Sequence, residues 1–206
     1  MQHRIGIFGG SFNPFHLGHL NIANVALKQI KLDKVLFIPC KVSPFKTGCR
    51  PDKFVDDLHR LKMTELSIEG YDKFELSRIE IDRGGISYSY DTVLQIKKKF
   101  PDSVLFFVIG ADTLPSLSKW YKIHALLTMC EFVTVGRPGV KEILTEIPGF
   151  ATEESKRLTE HRITGRLFDI SSSEIRRKIA AGESIEGLVD PKVEDYIMLN
   201  KLYFSS

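Results

Sequence analysis

Two spacings of apolar residues alternate along this chain. Short, nearly continuous apolar runs at Ile5, Ile7 and Phe8, and at residues 35–38, 104–109 and 131–135, suit strands covered on both faces, as in a parallel sheet. Between them the apolar spacing lengthens to three and four residues. Leu20, Ala23, Leu27 and Ile30 predict a helix over residues 18–32, and Phe54, Leu58, Leu61, Leu66 and Ile68 predict another over 53–69 with Asp52 as its N-cap. Residues 74–81 alternate in their second half, as a peripheral strand with one wetter face would. A turn at 82–85 then leads into an amphipathic helix ending near Phe100, with Ser89 or Asp91 available to cap it. Residues 141–166 mix Pro148, Gly149 and Gly165 with many charges, show no periodicity and read as a variable excursion. Residues 167–179 read as a strand end feeding a helix, and Val193, Ile197 and Leu202 mark a closing helix over 191–201. Strand, helix and strand in alternation predict an α/β domain with right-handed βαβ units, one domain over residues 1–206.

The stretch with the densest chemistry is residues 5–19, which compresses a buried strand, a turn and a helix start. Gly9 and Gly10 permit a tight turn and a close backbone approach to a ligand. Gly18 removes a side chain where the helix would crowd a bound group, and His16 and His19 are spaced to share one face of the first turn. A helix start offers unpaired N–H groups and partial positive charge, so the place favours phosphate. A structural use for the same residues is a simple turn and helix cap. A zinc site is excluded by the absence of HExxH spacing and of nearby cysteine or carboxylate, so no metal ligands are assigned.

Further candidates lie where strands end. The loop at residues 40–48 carries Lys41 and Lys46, both able to reach a phosphate at that rim, Lys46 being the stronger. Gly110 and Asp112 follow the most apolar strand, where a base or ribose would lie, though Asp112 could equally cap the next short helix. Trp120 could pack or stack on a planar ring, and Arg137, in the turn at 136–139, is expected to face the cleft. Ser171 and Glu174 have capping-box spacing; Arg176 and Arg177 beyond them point to a second anion site.

Composition narrows the classes. The 206 residues are 43% hydrophobic and 27% charged, as in an ordinary globular protein, and the net charge of +3 with no long basic run argues against nucleic acid as a partner. Cys40, Cys49 and Cys130 are odd in number and lack CxxC spacing, which suits a reducing compartment. Without a cationic-then-apolar leader or an apolar run near the ~20 residues a membrane helix needs, a cytoplasmic protein with no membrane partner is expected.

Gly10-Ser11-Phe12-Asn13-Pro14-Phe15-His16-Leu17-Gly18-His19 resembles the (H/T)xGH signature of the nucleotidyltransferase superfamily. Several other segments narrow the resemblance to the bacterial nicotinate-nucleotide adenylyltransferases. Residues 39–46 are similar to a PxxxxPxK loop, 86–92 to SYTxDT, 109–112 with Trp120 to IGAD…W, 135–139 to an (S)RPG turn and 170–176 to ISSTxIR. The resemblance implies an α/β, Rossmann-like doubly wound parallel sheet with helices on both faces. It also implies transfer of AMP from ATP to nicotinate mononucleotide by direct in-line displacement, giving deamido-NAD and pyrophosphate, with Mg²⁺ carried by ATP. It assigns the catalytic charge stabilisation to His16, His19, Lys46 and Arg176. ATP contacts fall to Gly9, Gly10, Ser11, Phe12, Gly18, Gly110, Asp112, Arg137, Ser171 and Ser172. The mononucleotide falls to Lys46 through its phosphate, to the Ser87-Tyr88-Ser89 backbone through its carboxylate and to Trp120 by stacking. The chain departs from the pattern at Phe45, where many members carry histidine, at Ser89 in place of threonine and at Gly136 in place of serine. A homo-oligomer is possible. Alternatives are another acceptor, nicotinamide mononucleotide or phosphopantetheine, or a nucleotide-sensing module without catalysis.

Overall fold

A computed structural model describes residues 2–45, 54–136, 146–163 and 167–204. Six strands form one all-parallel sheet in the order β3-β2-β1-β4-β5-β6. In chain order the elements are β1 (Arg4–Gly10), α1 (Leu17–Gln29), β2 (Lys34–Pro39), α2 (Asp57–Ile68), β3 (Phe74–Leu76), α3 (Ile79–Arg83), α4 (Ser89–Lys99), β4 (Val104–Gly110), a 3-10 segment (Ala111–Lys119), α5 (Ile123–Leu127), β5 (Glu131–Val135), α6 (Thr152–Glu160), β6 (His161–Ile163), α7 (Ser172–Ala180) and α8 (Pro191–Leu199). The order reverses between β1 and β4, which pair with Ile7 opposite Phe107. In open parallel sheets that switch point is where ligands bind, outside the carboxyl ends of the strands.

The continuous apolar runs place alternate residues on opposite faces. Ile5, Ile7, Leu36, Ile38, Phe107 and Ile109 pack against Val93 and Ile96 of α4 and Leu126 of α5. Phe8, Val35, Phe37, Phe106, Val108 and Val133 pack against Leu20, Ala23 and Ala26 of α1. Helices therefore cover both faces, as the doubly wound reading expected. A third cluster joins Met63 of α2 to Ile175 and Ile179 of α7 and to Val193 and Ile197 of α8. It seats the start of α7 over the sheet's carboxyl rim.

Five local expectations are corrected. The run at 74–81 does not continue as a strand: β3 is a three-residue edge, and Ile79–Arg83 turns into a helix that buries Glu80, the residue expected on the wetter face. Of the excursion expected over 141–166, residues 141–145 and 164–166 lie outside the described residues, and 146–163 are not irregular, since they hold α6 and the edge strand β6; only Ser155 and Leu158 of α6 are buried, too few to show a period in sequence. Residues 167–170 form no strand, and the strand preceding α7 is β6. α2 begins later than expected, at Asp57, with Asp56 rather than Asp52 as its cap; Asp52 lies outside the described residues. Neither Ser89 nor Asp91 caps α4, whose N-cap is Tyr88 without a side-chain hydrogen bond. Among the described residues no helix is long and apolar enough to cross a membrane.

Candidate active site

β1 runs through Gly10, so Gly9 and Gly10 are strand residues paired beside Ile38 and Pro39 rather than the turn itself. Gly9 has open space where a β-carbon would stand, whereas a β-carbon on Gly10 would come within 2.9 Å of the Phe12 ring. The turn follows at residues 11–15, and Phe12 takes the left-handed backbone conformation at φ 46°. The Phe12 ring does not face a ligand space. It is buried in a cluster with Phe8, Phe15 and Phe37, and its centroid lies 5.0 Å from that of His19 with the two rings nearly perpendicular. The Phe12 ring thus supports the histidine.

His16 is the N-cap of α1 and His19 is its third residue, so they do not simply share the first-turn face. Their rings stack at 3.6 Å and cap the helix reciprocally: the His19 N–H donates to His16 Nδ1 and the His16 N–H donates to His19 Nδ1, both at 3.3 Å. A ring nitrogen that accepts a backbone N–H carries no proton of its own, so the neutral tautomer has its hydrogen on Nε2. Structural cap and chemical group are therefore the same side chains. Gly18 serves that arrangement, because a β-carbon there would approach His16 Nδ1 at 2.9 Å.

The far end of the chain meets this loop. Ser171 caps α7 by accepting the Glu174 N–H at 3.2 Å. Ser172 Oγ donates to the Pro14 carbonyl at 2.9 Å, and Arg176 Nη1 donates to the Asn13 carbonyl at 2.7 Å. Ser11, His16, Gly18, His19, Gly110, Ser171, Ser172 and Arg176 all line one cavity of about 520 Å³ at the switch point. The helix starts of α1 and α7 thus open on the same space, with donors and positive partial charge suited to a polyanion. Gly110 forms part of this wall; Asp112 stands exposed beside it, and a β-carbon on Gly110 would collide with the Asp112 carboxylate.

A second space adjoins the first. Gly9, Gly10, Ser11 and Gly110 line it on one side and Ser87, Ser89, Thr113 and Trp120 on the other. It continues into a pocket between Phe45, Tyr88 and Trp120, where the Phe45 and Trp120 rings lie 6.0 Å apart. Of the Ser87-Tyr88-Ser89 backbone donors, two are already committed. The Ser87 N–H donates to the Val42 carbonyl at 2.8 Å and the Tyr88 N–H to the Ile86 carbonyl at 3.1 Å. The bridge between Val42 and Ile86 imposes this. Ser89, the first residue of α4, is where amides lack intrahelical partners. Lys46 and Arg137 lie outside the described residues.

Sequence reasoning missed the buried polar support beneath these walls. Arg60, 1% exposed, donates through Nη1 to the Ser11 carbonyl at 2.8 Å and pairs with Asp57. Asp57 also pairs with Lys41 Nζ, so Lys41 points to a carboxylate here. Burial opposes ionisation of Asp57, yet hydrogen bonds from Lys41 and Arg60 hold its carboxyl below the usual range. The helical spacing of Asp57 and Arg60 was the available signal. Glu131, Glu160 and His161 bring ligand atoms within 4.8 Å of one another, but at the amino ends of β5 and β6, away from the cavity, and Glu131 pairs with Arg157.

A doubly wound parallel sheet with an anion-accepting cavity at its switch point and a smaller aromatic pocket beside it defines a nucleotide-handling α/β enzyme. The cytidylyltransferase-like family model matches residues 7–178. The nicotinate-nucleotide adenylyltransferase of Bacillus subtilis is 37% identical over 202 residues, covering 98% of this chain and 99% of that protein. Two structures of the Plasmodium falciparum nicotinic acid mononucleotide adenylyltransferase share the fold. The complex with APC is 20% identical with a TM-score of 0.76, and the complex with NaAD is 21% identical with a TM-score of 0.78, each covering 98% of both chains. The chain belongs to the cytidylyltransferase-like family and, within it, to the nicotinate-nucleotide adenylyltransferases.

Proposed function

We propose that residues 1–206 act as one nucleotidyltransferase domain that transfers AMP from ATP to nicotinate mononucleotide, giving deamido-NAD and pyrophosphate in NAD biosynthesis. The observation that carries this reading is the opening of two helix starts, α1 and α7, on one cavity that adjoins an aromatic pocket. ATP fills the larger cavity with its phosphates toward His16, His19, Ser171, Ser172 and Arg176. The mononucleotide takes the space between Ser89 and Trp120, and its phosphate is assigned to Lys46 by the family resemblance.

An oxygen of the mononucleotide phosphate attacks the α-phosphorus. The bond from that phosphorus to the α,β-bridging oxygen breaks in line, and pyrophosphate leaves with the electron pair. No group on the protein forms a covalent bond. Catalysis is positioning and charge stabilisation, with Nε2–H of each histidine and the Arg176 guanidinium as donors to oxygens that gain charge. Mg²⁺ enters as part of the ATP substrate and offsets the triphosphate charge.

The test is pyrophosphate release from ATP with nicotinate mononucleotide against nicotinamide mononucleotide and phosphopantetheine. Faster turnover of the nicotinate substrate is expected. Faster turnover of another acceptor would replace the assignment, and tight ATP binding with no release from any acceptor would make the protein a sensor.

A further inference from the structure

After α8 the chain bends back sharply on itself. Lys201 and Tyr203 both take the left-handed backbone conformation, at φ 51° and 69°. A bulky side chain is held there only when its surroundings fix it. The Leu202 N–H donates to the Ile197 carbonyl at 3.0 Å, and the Tyr203 ring packs on the apolar cluster shared by α2, α7 and α8. For that packing alone phenylalanine would serve as well, because burying a hydroxyl is costly unless it is bonded.

The hydroxyl meets its acceptor at the wall of the larger cavity. Tyr203 Oη donates to Asn13 Oδ1 at 2.8 Å, while Met63 Sδ is the more distant acceptor at 4.0 Å. A phenol has one hydrogen, and the shorter contact takes it. Burial pushes the Tyr203 phenol up, against the charges of Arg176 and Arg60, so the group stays protonated and remains a donor.

Asn13 is 2% exposed and lies in the turn between β1 and α1, lining the same cavity as His16, His19 and Arg176. The Val55 N–H also donates to Asn13 Oδ1, at 3.4 Å, so the amide oxygen faces two donors and its orientation is set. The Asn13 carbonyl accepts from Arg176 Nη1 at 2.7 Å. One residue is therefore gripped at its side chain by Tyr203 and at its main chain by Arg176, from 190 and 163 residues away in sequence. Arg176 Nη2 donates to Ser173 Oγ at 3.2 Å, so the guanidinium is oriented by α7 on one side and by the turn on the other.

We propose that Tyr203 is a positioning residue for the triphosphate side of the site: its hydroxyl fixes Asn13, and the Asn13 carbonyl in turn sets the Arg176 guanidinium at the cavity wall. Tyr203 lines neither the larger cavity nor the acceptor space, so it acts through those two residues. The inference rests on the reading of the larger cavity as the ATP site.

Steady-state kinetics of Tyr203→Phe, Arg176→Ala and the double variant test it, together with titration of the wild-type protein with ATP in the absence of acceptor. Phenylalanine keeps the ring and removes only the donor. The kcat/KM for ATP is expected to fall about ten-fold, the scale of one hydrogen bond, with the KM for nicotinate mononucleotide unchanged within about two-fold. In the Arg176→Ala background the same change should cost less than about two-fold, because the group it positions is gone. A full further loss in the double variant, equal rises in both KM values, or a lowered Tm with unchanged kinetics in Tyr203→Phe would each overturn the proposal. If Tyr203→Phe fails to fold, Asn13→Ala removes the acceptor of the same bond. A selective fall in kcat/KM for ATP then supports the proposal and an unchanged value overturns it. Wild-type protein that binds no ATP would overturn the cavity assignment itself, whereas wild-type protein that binds and consumes ATP beside an equally active Tyr203→Phe would overturn this proposal alone.

Discussion

At the cavity proposed for the ATP phosphates the walls are mostly main chain and helix ends; at the pocket proposed for the acceptor, on the same rim, they are loops held by side chains. The first is made of β1, the starts of α1 and α7, and the carbonyls of Asn13 and Pro14 tied to Arg176 and Ser172. The second depends on Ser87, Lys41 and the rings of Phe45 and Trp120. Helix ends come with the fold, so their geometry follows once the strands pair. A loop wall has no ladder of its own and must be fixed by individual polar contacts, and those are the places where acceptor selectivity can change without disturbing the sheet.

Changes on the two sides should therefore separate kinetically. The largest effect is expected for His19→Ala, which removes a proposed donor to the phosphates and half of the reciprocal cap; pyrophosphate release should fall about 10²–10³-fold. Arg176→Ala frees the Asn13 carbonyl and withdraws a charge, and a loss of about 10²-fold in kcat/KM for ATP is expected, with little change in the acceptor KM. On the other side, Trp120→Ala should raise the acceptor KM about five-fold while leaving the ATP KM in place, the scale of one aromatic stacking contact. The smallest effect is expected for Ser171→Ala. Loss of the α7 cap should cost about 1 kcal/mol, read in thermal unfolding as a drop in Tm of about 2–4 °C. An ATP-selective defect from Trp120→Ala, or an acceptor-selective one from Arg176→Ala, would erase the division between the two regions.

The sequence was legible where burial is two-sided. The runs at Ile5 to Phe8, 35–38, 104–109 and 131–135 are apolar without interruption because helices cover both faces, and each is a strand in the structure. The helix starts were legible too, since Ser171 and the paired histidines carry the chemistry of a cap. What escaped was set by long-range contacts. Ile79 and Ile81 alternate as in a strand, but β2 offers β3 only three partners, from Val35 to Phe37, and the chain turns helical with Glu80 inward. The Ser87 amide is committed to the Val42 carbonyl, a partner 45 residues away that local sequence does not reveal. The Lys41, Asp57 and Arg60 group joins a loop to a helix sixteen residues on, a distance that no periodicity reports.

The stacked imidazoles at the start of α1 bind two requirements into one pair of atoms. The nitrogen that stops the helix and the nitrogen offered to the cavity belong to one conjugated ring, so tuning either retunes its neighbour. Arginine or lysine at His16 could supply charge but has no lone pair to receive the His19 amide, and asparagine could receive the amide but places its donor on a shorter arm. Few side chains meet both demands, so this corner of the molecule has almost no latitude for drift, while the aromatic pocket next to it is left open to experiment.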